Sequence, residues 1–363
     1  MSNFFKDLIN EIKDEDTTLA SDGRGSAEYT GCIDTGSYIL NAVLSGSLYG
    51  GVPNNKITAF AGESATGKTF FVLGVVRAFL DANPTGGVVY YDTEAAVTRE
   101  MMEERGIDTT RVIISEPATI QQFRHHALKL IEAYDKQDKK KRPPMMFVLD
   151  SLGLLSSTKE LEDTAEGKDT RDMTKAQLIK ACFRVLTLKL ARVKIPLIIT
   201  NHVYAAIGAY VPTNEIAGGS GLKYAASTIC MLSKKKDKEG TDVVGNIVRI
   251  KMYKSRLSKE NSQVEVKLSY ATGLDRYYGL LELAEKYNII KKVSTRYELP
   301  DGTKVFGKNI NEEPEKYFTP EVLAQLEVAA KKEFSYGGKS PELMDAEAEA
   351  HVEVETMDED ESV

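Results

Sequence analysis

Three cysteines in 363 residues, Cys32, Cys182 and Cys230, are odd in number, widely spaced and in no metal-ligating pattern. They exclude a disulfide framework and read as packing residues in a reducing compartment. Long apolar runs are missing as well. No segment approaches the ~20 residues that a membrane span requires. The opening stretch MSNFFKDLINEIKDED is acidic and has no continuous apolar core, so the expectation is a soluble, cytoplasmic protein with no membrane partner. No internal repeat is found. Lys and Arg are absent from residues 341–363, where ten acids stand between positions 342 and 361. Such a tail has too few apolar side chains to order itself. With its charge set aside, the chain's net −7 becomes +3 for residues 1–340. The tail either solvates the protein or competes with a polyanion for a basic face, and the second reading needs a nucleic-acid site elsewhere in the chain.

What is present suffices for a full α/β core, since 42% of residues are hydrophobic. Gly62, Glu63, Ser64, Ala65, Thr66, Gly67, Lys68 and Thr69 spell the phosphate loop G-x-x-x-x-G-K-[ST]. The β-rich run KITAFA precedes it and the apolar run FFVLGVVRAFL follows, which gives the strand, loop and helix that such a loop needs. Its glycines permit a tight turn with backbone N–H groups facing phosphates. Lys68 supplies a mobile charge for the β- and γ-phosphates, and Thr69 is the Mg²⁺ ligand.

Further runs at 88–92, 111–115, 145–150 and 196–201 predict strands alternating with helices, the pattern of a parallel sheet. Phe123, Ala127, Leu130, Ile131 and Tyr134 mark one helical face between two of them. Runs at 227–232, 246–254 and 263–270, with short charged links, predict an antiparallel meander at the sheet edge. The run MMFVLD ends in Asp150, a hydrophobic strand delivering an acid to hold Mg²⁺ directly or through water. At the end of 88–92, Asp92-Thr93-Glu94 places a second acid, and Glu94 is the candidate for activating the attacking water. The last parallel strand ends in Thr200-Asn201-His202, a polar group suited to sensing a γ-phosphate or to a structural role.

The succession Ile33-Asp34-Thr35-Gly36-Ser37, Leu44-Ser45-Gly46, the phosphate loop, Asp92-Thr93-Glu94, Leu149-Asp150-Ser151, Thr200-Asn201-His202, Gly218-Gly219-Ser220-Gly221 and Lys254-Ser255-Arg256 resembles the core of RecA-type recombinases over residues 31–290. Asn201-His202, Lys254-Ser255-Arg256 and Tyr277-Tyr278-Gly279-Leu280-Leu281 look most like the UvsX recombinases of T-even-like bacteriophages. The resemblance implies a RecA-like P-loop NTPase core. It also implies ATP and Mg²⁺ as cofactors, filament formation on single-stranded DNA and strand exchange with a homologous duplex. ATP then lies between protomers, and Lys254 and Arg256 act on the neighbour's nucleotide as an arginine finger does. Mediator and single-strand-binding proteins are implied partners, in the cytoplasm of an infected host if the chain is of phage origin.

Two segments suit DNA. Residues 202–221 match the family's second DNA loop, with Ile207-Gly208 at the position of an aliphatic wedge between base steps and Gly218 and Gly219 near its end. Residues 156–173 correspond to the first loop but are acidic, so the cations there are Arg171, Lys175, Lys180 and Arg184. The family's adenine-stacking aromatic is replaced by Met101, which leaves Tyr270 as the candidate adenine contact or a sheet-packing residue.

The expected organisation is a helical arm (1–30) that docks on its own core or on the next protomer, the core (31–290), a small C-terminal region (291–340) and the acidic tail (341–363). Phe4, Phe5, Leu8, Ile9 and Ile12 form the arm's apolar face. A hexameric DNA helicase on the same core and a mediator ATPase are the alternatives. Deleting residues 341–363 is expected to leave thermal stability nearly unchanged, to strengthen duplex binding more than single-strand binding, and to steepen the salt dependence. Titrations of both DNA forms at several salt concentrations check this, and equal affinities would reduce the tail to a solubilising segment.

Overall fold

A computed structural model describes residues 2–13, 17–22, 25, 28, 31–168, 174–205 and 214–337. The chain runs through α1 (Ser2–Ile12), α2 (Tyr38–Ser45), β1 (Ile57–Gly62), α3 (Lys68–Ala82), β2 (Gly87–Asp92), β3 (Val112–Ser115), α4 (Ile120–Asp135), β4 (Met145–Asp150), α5 (Thr158–Ala165), α6 (Lys175–Val193), β5 (Leu197–Asn201), α7 (Ser220–Ala225), β6 (Thr228–Glu239), β7 (Asp242–Ser255), β8 (Gln263–Ser269), β9 (Gly273–Leu274), α8 (Leu280–Lys286) and α9 (Pro320–Phe334), with shorter strands and helical turns between them. The main sheet has nine strands, and the fold is α/β as the alternating pattern predicts. Two compact units divide the chain, residues 1–33, 53–60 and 79–226 in the first and 34–52, 61–78 and 227–363 in the second.

In the first unit the strand order is β1-β5-β4-β2-β3. The pairs β2/β3, β2/β4 and β4/β5 are parallel, and Asp92 stands in register with Asp150. The central strands are buried along almost their whole length, as strands covered on both faces must be. β3 is the edge and leaves Ile113 and Ile114 exposed. Thr119 and Gln122 close a capping box at the start of α4, which buries Phe123, Ala127, Ile131 and Tyr134 and packs on α6; Leu130 is half-buried. Tyr91 fills the core edge-on against Phe123 at 4.9 Å and Phe147 at 5.9 Å. The 156–173 segment is not all loop: Ser157 and Glu160 form a second capping box that starts α5. Phe4, Phe5, Leu8 and Ile12 of α1 are exposed.

The second unit carries the meander β6 to β9, antiparallel throughout. Its first hairpin is longer than the sequence suggests. The run KKKDKE reads as a link, yet it continues β6 to Glu239, with Lys234 opposite Val248 and Lys236 opposite Asn246. Ladder bonds are made by the backbone and need no apolar side chains. Ion pairs support the charged stretch, Lys235 and Arg249 with Glu265 and Lys267 with Asp237 at 3.0 Å. Residues 291–305 form a small three-stranded sheet, and α9 packs on α2 and α8. Burial pushes the Cys182 and Cys230 thiols up to about 12 and Cys32 up to about 11, consistent with packing roles. Among the described residues no helix is long and apolar enough to cross a membrane.

One buried amide organises the start of this unit. Asn41 accepts from the Thr35 N–H (2.9 Å) and the Thr35 hydroxyl (2.7 Å), and donates to Asp34 Oδ1 (2.8 Å) and the Leu48 carbonyl (2.9 Å). Arg276 Nη1 also donates to both Asp34 oxygens, at 2.7 and 2.6 Å, and the Gly36 N–H donates to Oδ1 at 2.9 Å. Burial works against the Asp34 charge, but the bonds from Asn41, Gly36 and Arg276 hold its carboxyl below the usual value. Asn41→Ala strands these groups together and is expected to cost about 2–4 kcal/mol, read as a lowered urea midpoint at unchanged slope.

Candidate functional site

The phosphate loop lies in the second unit. β1, buried at every residue, leads into Gly62, where a Cβ would fall 2.8 Å from the Leu232 carbonyl oxygen and 2.9 Å from Thr66 Oγ1. Gly67 has φ +89°, a conformation glycine adopts without strain. The Thr66 hydroxyl donates to the Glu63 carbonyl at 2.9 Å. Lys68 is buried, and its ammonium donates to the carbonyls of Gly62 at 3.0 Å and Glu63 at 2.8 Å. Lys234 of β6 donates to the Ala65 carbonyl at 2.5 Å. Glu63, Ser64 and Ala65 stay exposed, with Thr69 half-buried in the first turn of α3. A buried cation inside a loop of exposed backbone, at the start of a 15-residue helix, is a cradle for an anion. Gly62 lets the loop pack closely against Leu232 and Thr66, and the exposed backbone of Glu63, Ser64 and Ala65 beside the buried Lys68 fits a phosphate chain.

The acids lie in the first unit, at the carboxyl ends of β2, β4 and β5. Asp92 is buried and accepts from the backbone N–H groups of Glu94, Ala96 and Val97, each at 3.0 Å. Its carboxylate therefore shapes the turn that presents Glu94. Asp150, equally buried, accepts from Tyr90 Oη at 2.7 Å through one oxygen and from the Thr200 hydroxyl through the other. Burial, then the Asp150 charge, pushes the Tyr90 hydroxyl well above its ordinary value, so it stays a donor. Thr93 joins the two strand ends: its N–H donates to the Asp150 carbonyl, its hydroxyl donates to the Ser151 carbonyl at 2.7 Å, and the Ser151 N–H donates back to it at 2.8 Å. The Asp150–Ser151 peptide bond is cis. His202 Nε2 lies 3.0 Å from Glu94 Oε1; facing a carboxylate, that nitrogen is the donor.

The family model of the RecA N-terminal domain matches residues 14–275. The chain belongs to the RecA family. Among similar proteins, the "Recombination and repair protein" of Enterobacteria phage T4 is 31% identical over 254 residues, 70% of this chain and 63% of the phage protein, so less than two-thirds of that relative is spanned. "Protein RecA" of Clavibacter michiganensis subsp. michiganensis is 28% identical over 298 residues, 81% of this chain and 78% of its own length. That of Leifsonia xyli subsp. xyli is 27% identical over 312 residues, covering 85% and 82%.

In this RecA-family chain the other candidate residues fall into separate groups. Lys254 stands near the end of β7 and Arg256 just beyond it, in the second unit. Burial, and then the Arg256 guanidinium, hold the Lys254 ammonium below the ordinary lysine value, with Glu260 opposing. Lys175, Lys180 and Arg184 all lie on α6. Lys175 pairs with Glu160 of α5 at 3.3 Å, Lys180 stands over the Tyr224 ring of α7 at 5.7 Å, and Arg184 is exposed. Gly218 and Gly221 bring the end of the 202–221 segment against α6, where a Cβ would meet Ile179 or the Lys180 backbone at 2.9 Å. Gly219, at φ +74°, lies near Ala176. A short ladder of Val203–Ala205 with Asn214–Ile216 forms the stem of this segment. Arg171, Ile207 and Gly208 lie outside the described residues, as do residues 341–363. Met101, half-buried, belongs to the first unit. Tyr270 belongs to the second and is 63% exposed, with its hydroxyl accepting from Asn246 at 3.4 Å, which disfavours the sheet-packing reading.

Sequence reasoning missed Tyr90 and the roles of Thr93 and Asn201. Asn201 Nδ2 donates to the Ala217 carbonyl at 2.8 Å, and its Oδ1 accepts from the His202 N–H at 3.0 Å. The register that puts Tyr90 against Asp150 is set by strand pairing 60 residues apart and leaves no local signal. Tyr90→Phe and Thr200→Val each remove a hydroxyl donor from one buried carboxylate and are each expected to cost about 1–3 kcal/mol. Because they share Asp150, a double-mutant cycle in urea should be clearly non-additive. Additive losses would show that the two hydroxyls act independently.

Proposed function

We propose that this chain is an ATP-dependent recombinase that assembles on single-stranded DNA, pairs it with a homologous duplex and exchanges strands, hydrolysing ATP in response to DNA. The observation that carries this reading is the Glu94–His202 hydrogen bond. His202 opens the stem of the 202–221 segment, and the Ala217 N–H donates to the His202 carbonyl at 2.9 Å. A DNA-responsive segment thereby begins on the residue that holds the hydrolytic carboxylate. DNA bound along the 202–221 segment and the cations of α6 sets the position of His202, and through it Glu94.

The roles follow from the chemistry of each group. Lys68 and the loop N–H groups hold the β- and γ-phosphates, and Glu94 orients and deprotonates the attacking water. Thr69 and Asp150 supply the hard oxygen donors suited to Mg²⁺. When bound, Mg²⁺ offsets charge on the phosphate oxygens. Lys254 and Arg256 of one protomer serve the nucleotide of the next, so hydrolysis depends on assembly. Tyr270, and Met101 more weakly, contact the adenine. Contacts from Lys175, Lys180 and Arg184 go to phosphates and carry no sequence information, as any-sequence recombination requires. Mediator and single-strand-binding proteins are the expected partners.

Lys68→Ala is expected to weaken ATP binding and filament formation together, whereas Glu94→Gln should bind ATP and give long-lived filaments with little turnover. Mixing Glu94→Gln with Arg256→Ala creates one kind of mixed interface with an intact Glu94 opposite an intact Arg256, so DNA-dependent hydrolysis should partly return. Native turnover by Glu94→Gln would remove Glu94 from the chemistry. Closed rings in electron micrographs, in place of filaments whose length follows the DNA, would favour the helicase reading.

A further inference from the structure

The turn that carries the paired cations is held from outside by the last described residues of the chain. Within the turn, Ser255 Oγ accepts from the N–H groups of Leu257 at 3.1 Å and Ser258 at 2.9 Å, and the Ser258 hydroxyl donates to the Val43 carbonyl of α2 at 2.6 Å. From the end of α9, the Phe334 carbonyl accepts the Lys259 N–H at 2.7 Å, and Ser335 bridges Ser258 in antiparallel fashion. Tyr336 then donates its hydroxyl to the Ser255 carbonyl at 2.7 Å.

That last bond falls on a particular peptide group. The Ser255 carbonyl and the Arg256 N–H belong to one planar unit. Tyr336 holds its oxygen, and the Ser227 carbonyl holds its N–H at 3.0 Å. With both ends hydrogen-bonded, the peptide plane between Ser255 and Arg256 is restrained from rotating, and with it the backbone from which the Arg256 side chain leaves. Tyr336 is 57% exposed, so burial of its ring does not account for its place; the hydroxyl bond does.

We infer that Tyr336 is a positioning residue for hydrolysis, and that the segment following α9 braces the cations a protomer presents to its neighbour. The inference rests on the reading of Lys254 and Arg256 as cations acting on the neighbouring nucleotide. A cation that acts only when aimed at a developing charge is sensitive to small misplacement. The bond is long-range in sequence, so the C-terminal region, small as it is, becomes part of the inter-protomer site without touching nucleotide.

The test uses full-length Tyr336→Phe, which keeps the ring and removes the donor. Single-strand-dependent ATP hydrolysis should lose about fivefold in kcat, the effect of one hydrogen bond, with KM for ATP and the urea midpoint near native. In mixed assemblies, Tyr336→Phe should restore activity to Glu94→Gln, because its own Glu94 is intact. It should not restore Arg256→Ala, because both variants are faulty on the donating side. Native kcat for Tyr336→Phe beside an impaired Arg256→Ala would overturn the brace and leave the cation reading standing. An unimpaired Arg256→Ala would overturn both. A raised KM with a lowered urea midpoint and no complementation of Glu94→Gln would make Tyr336 a purely structural residue and overturn the inference.

Discussion

Two buried acids at matched positions of neighbouring parallel strands set the terms for the first unit. Asp92 and Asp150 are register partners at the ends of β2 and β4, and both are almost wholly shielded from water. Unpaired, either charge would cost several kcal/mol, and side by side they repel. The chain solves the two cases differently. Asp92 is surrounded by three backbone N–H groups of the turn that follows it, which fixes that turn and the placing of Glu94. Asp150 is met by two hydroxyls from the flanking strands β2 and β5, so its orientation depends on the register of the sheet. The bonds between Thr93 and Ser151 then make the ends of β2 and β4 one piece.

A polar path leads from that edge into the segment proposed to bind DNA. Asn201, fully buried, holds the Ala217 carbonyl with its amide while its oxygen receives the His202 N–H, and His202 reaches Glu94. Each link is a specific donor and acceptor at ordinary distance, so the stem and the carboxylate are joined by side-chain and backbone hydrogen bonds. The same segment ends against α6, whose Lys180 lies over Tyr224. The two regions assigned to DNA thus share one helix, although 28 residues separate the start of α6 from the start of the 202–221 stem.

The second unit uses polar ties of the same kind for support. Asn41 joins the entry segment to α2 and the loop after it. Glu327 of α9 accepts from the Ser47 hydroxyl and the Leu48 N–H, both at 2.8 Å, and so fastens α9 to that loop. The segment after α9 continues to the turn behind Lys254 and Arg256. In this unit, the C-terminal region is tied by hydrogen bonds to the loop after α2 and to the turn that carries Arg256.

Much of the chemistry was legible in the chain itself. The phosphate loop is a local pattern in which glycine, lysine and threonine are fixed by backbone conformation and charge, and its flanking runs foretold β1 and α3. The strands ending in Asp92, Asp150 and Asn201 were legible because strands buried on both faces must be continuously apolar until they end. The charged half of β6 was not, since ladder pairing with β7 overrides side-chain preference there. Nor were Tyr90 beside Asp150, His202 beside Glu94 or Tyr336 on the Ser255 carbonyl, which join residues 60, 108 and 81 positions apart. The sequence alone determined which groups are suited to the proposed chemistry, because that depends on residue type and local spacing. Which partners orient them was decided only by tertiary structure, because strand register and chain return bring together groups whose spacing carries no periodic signal.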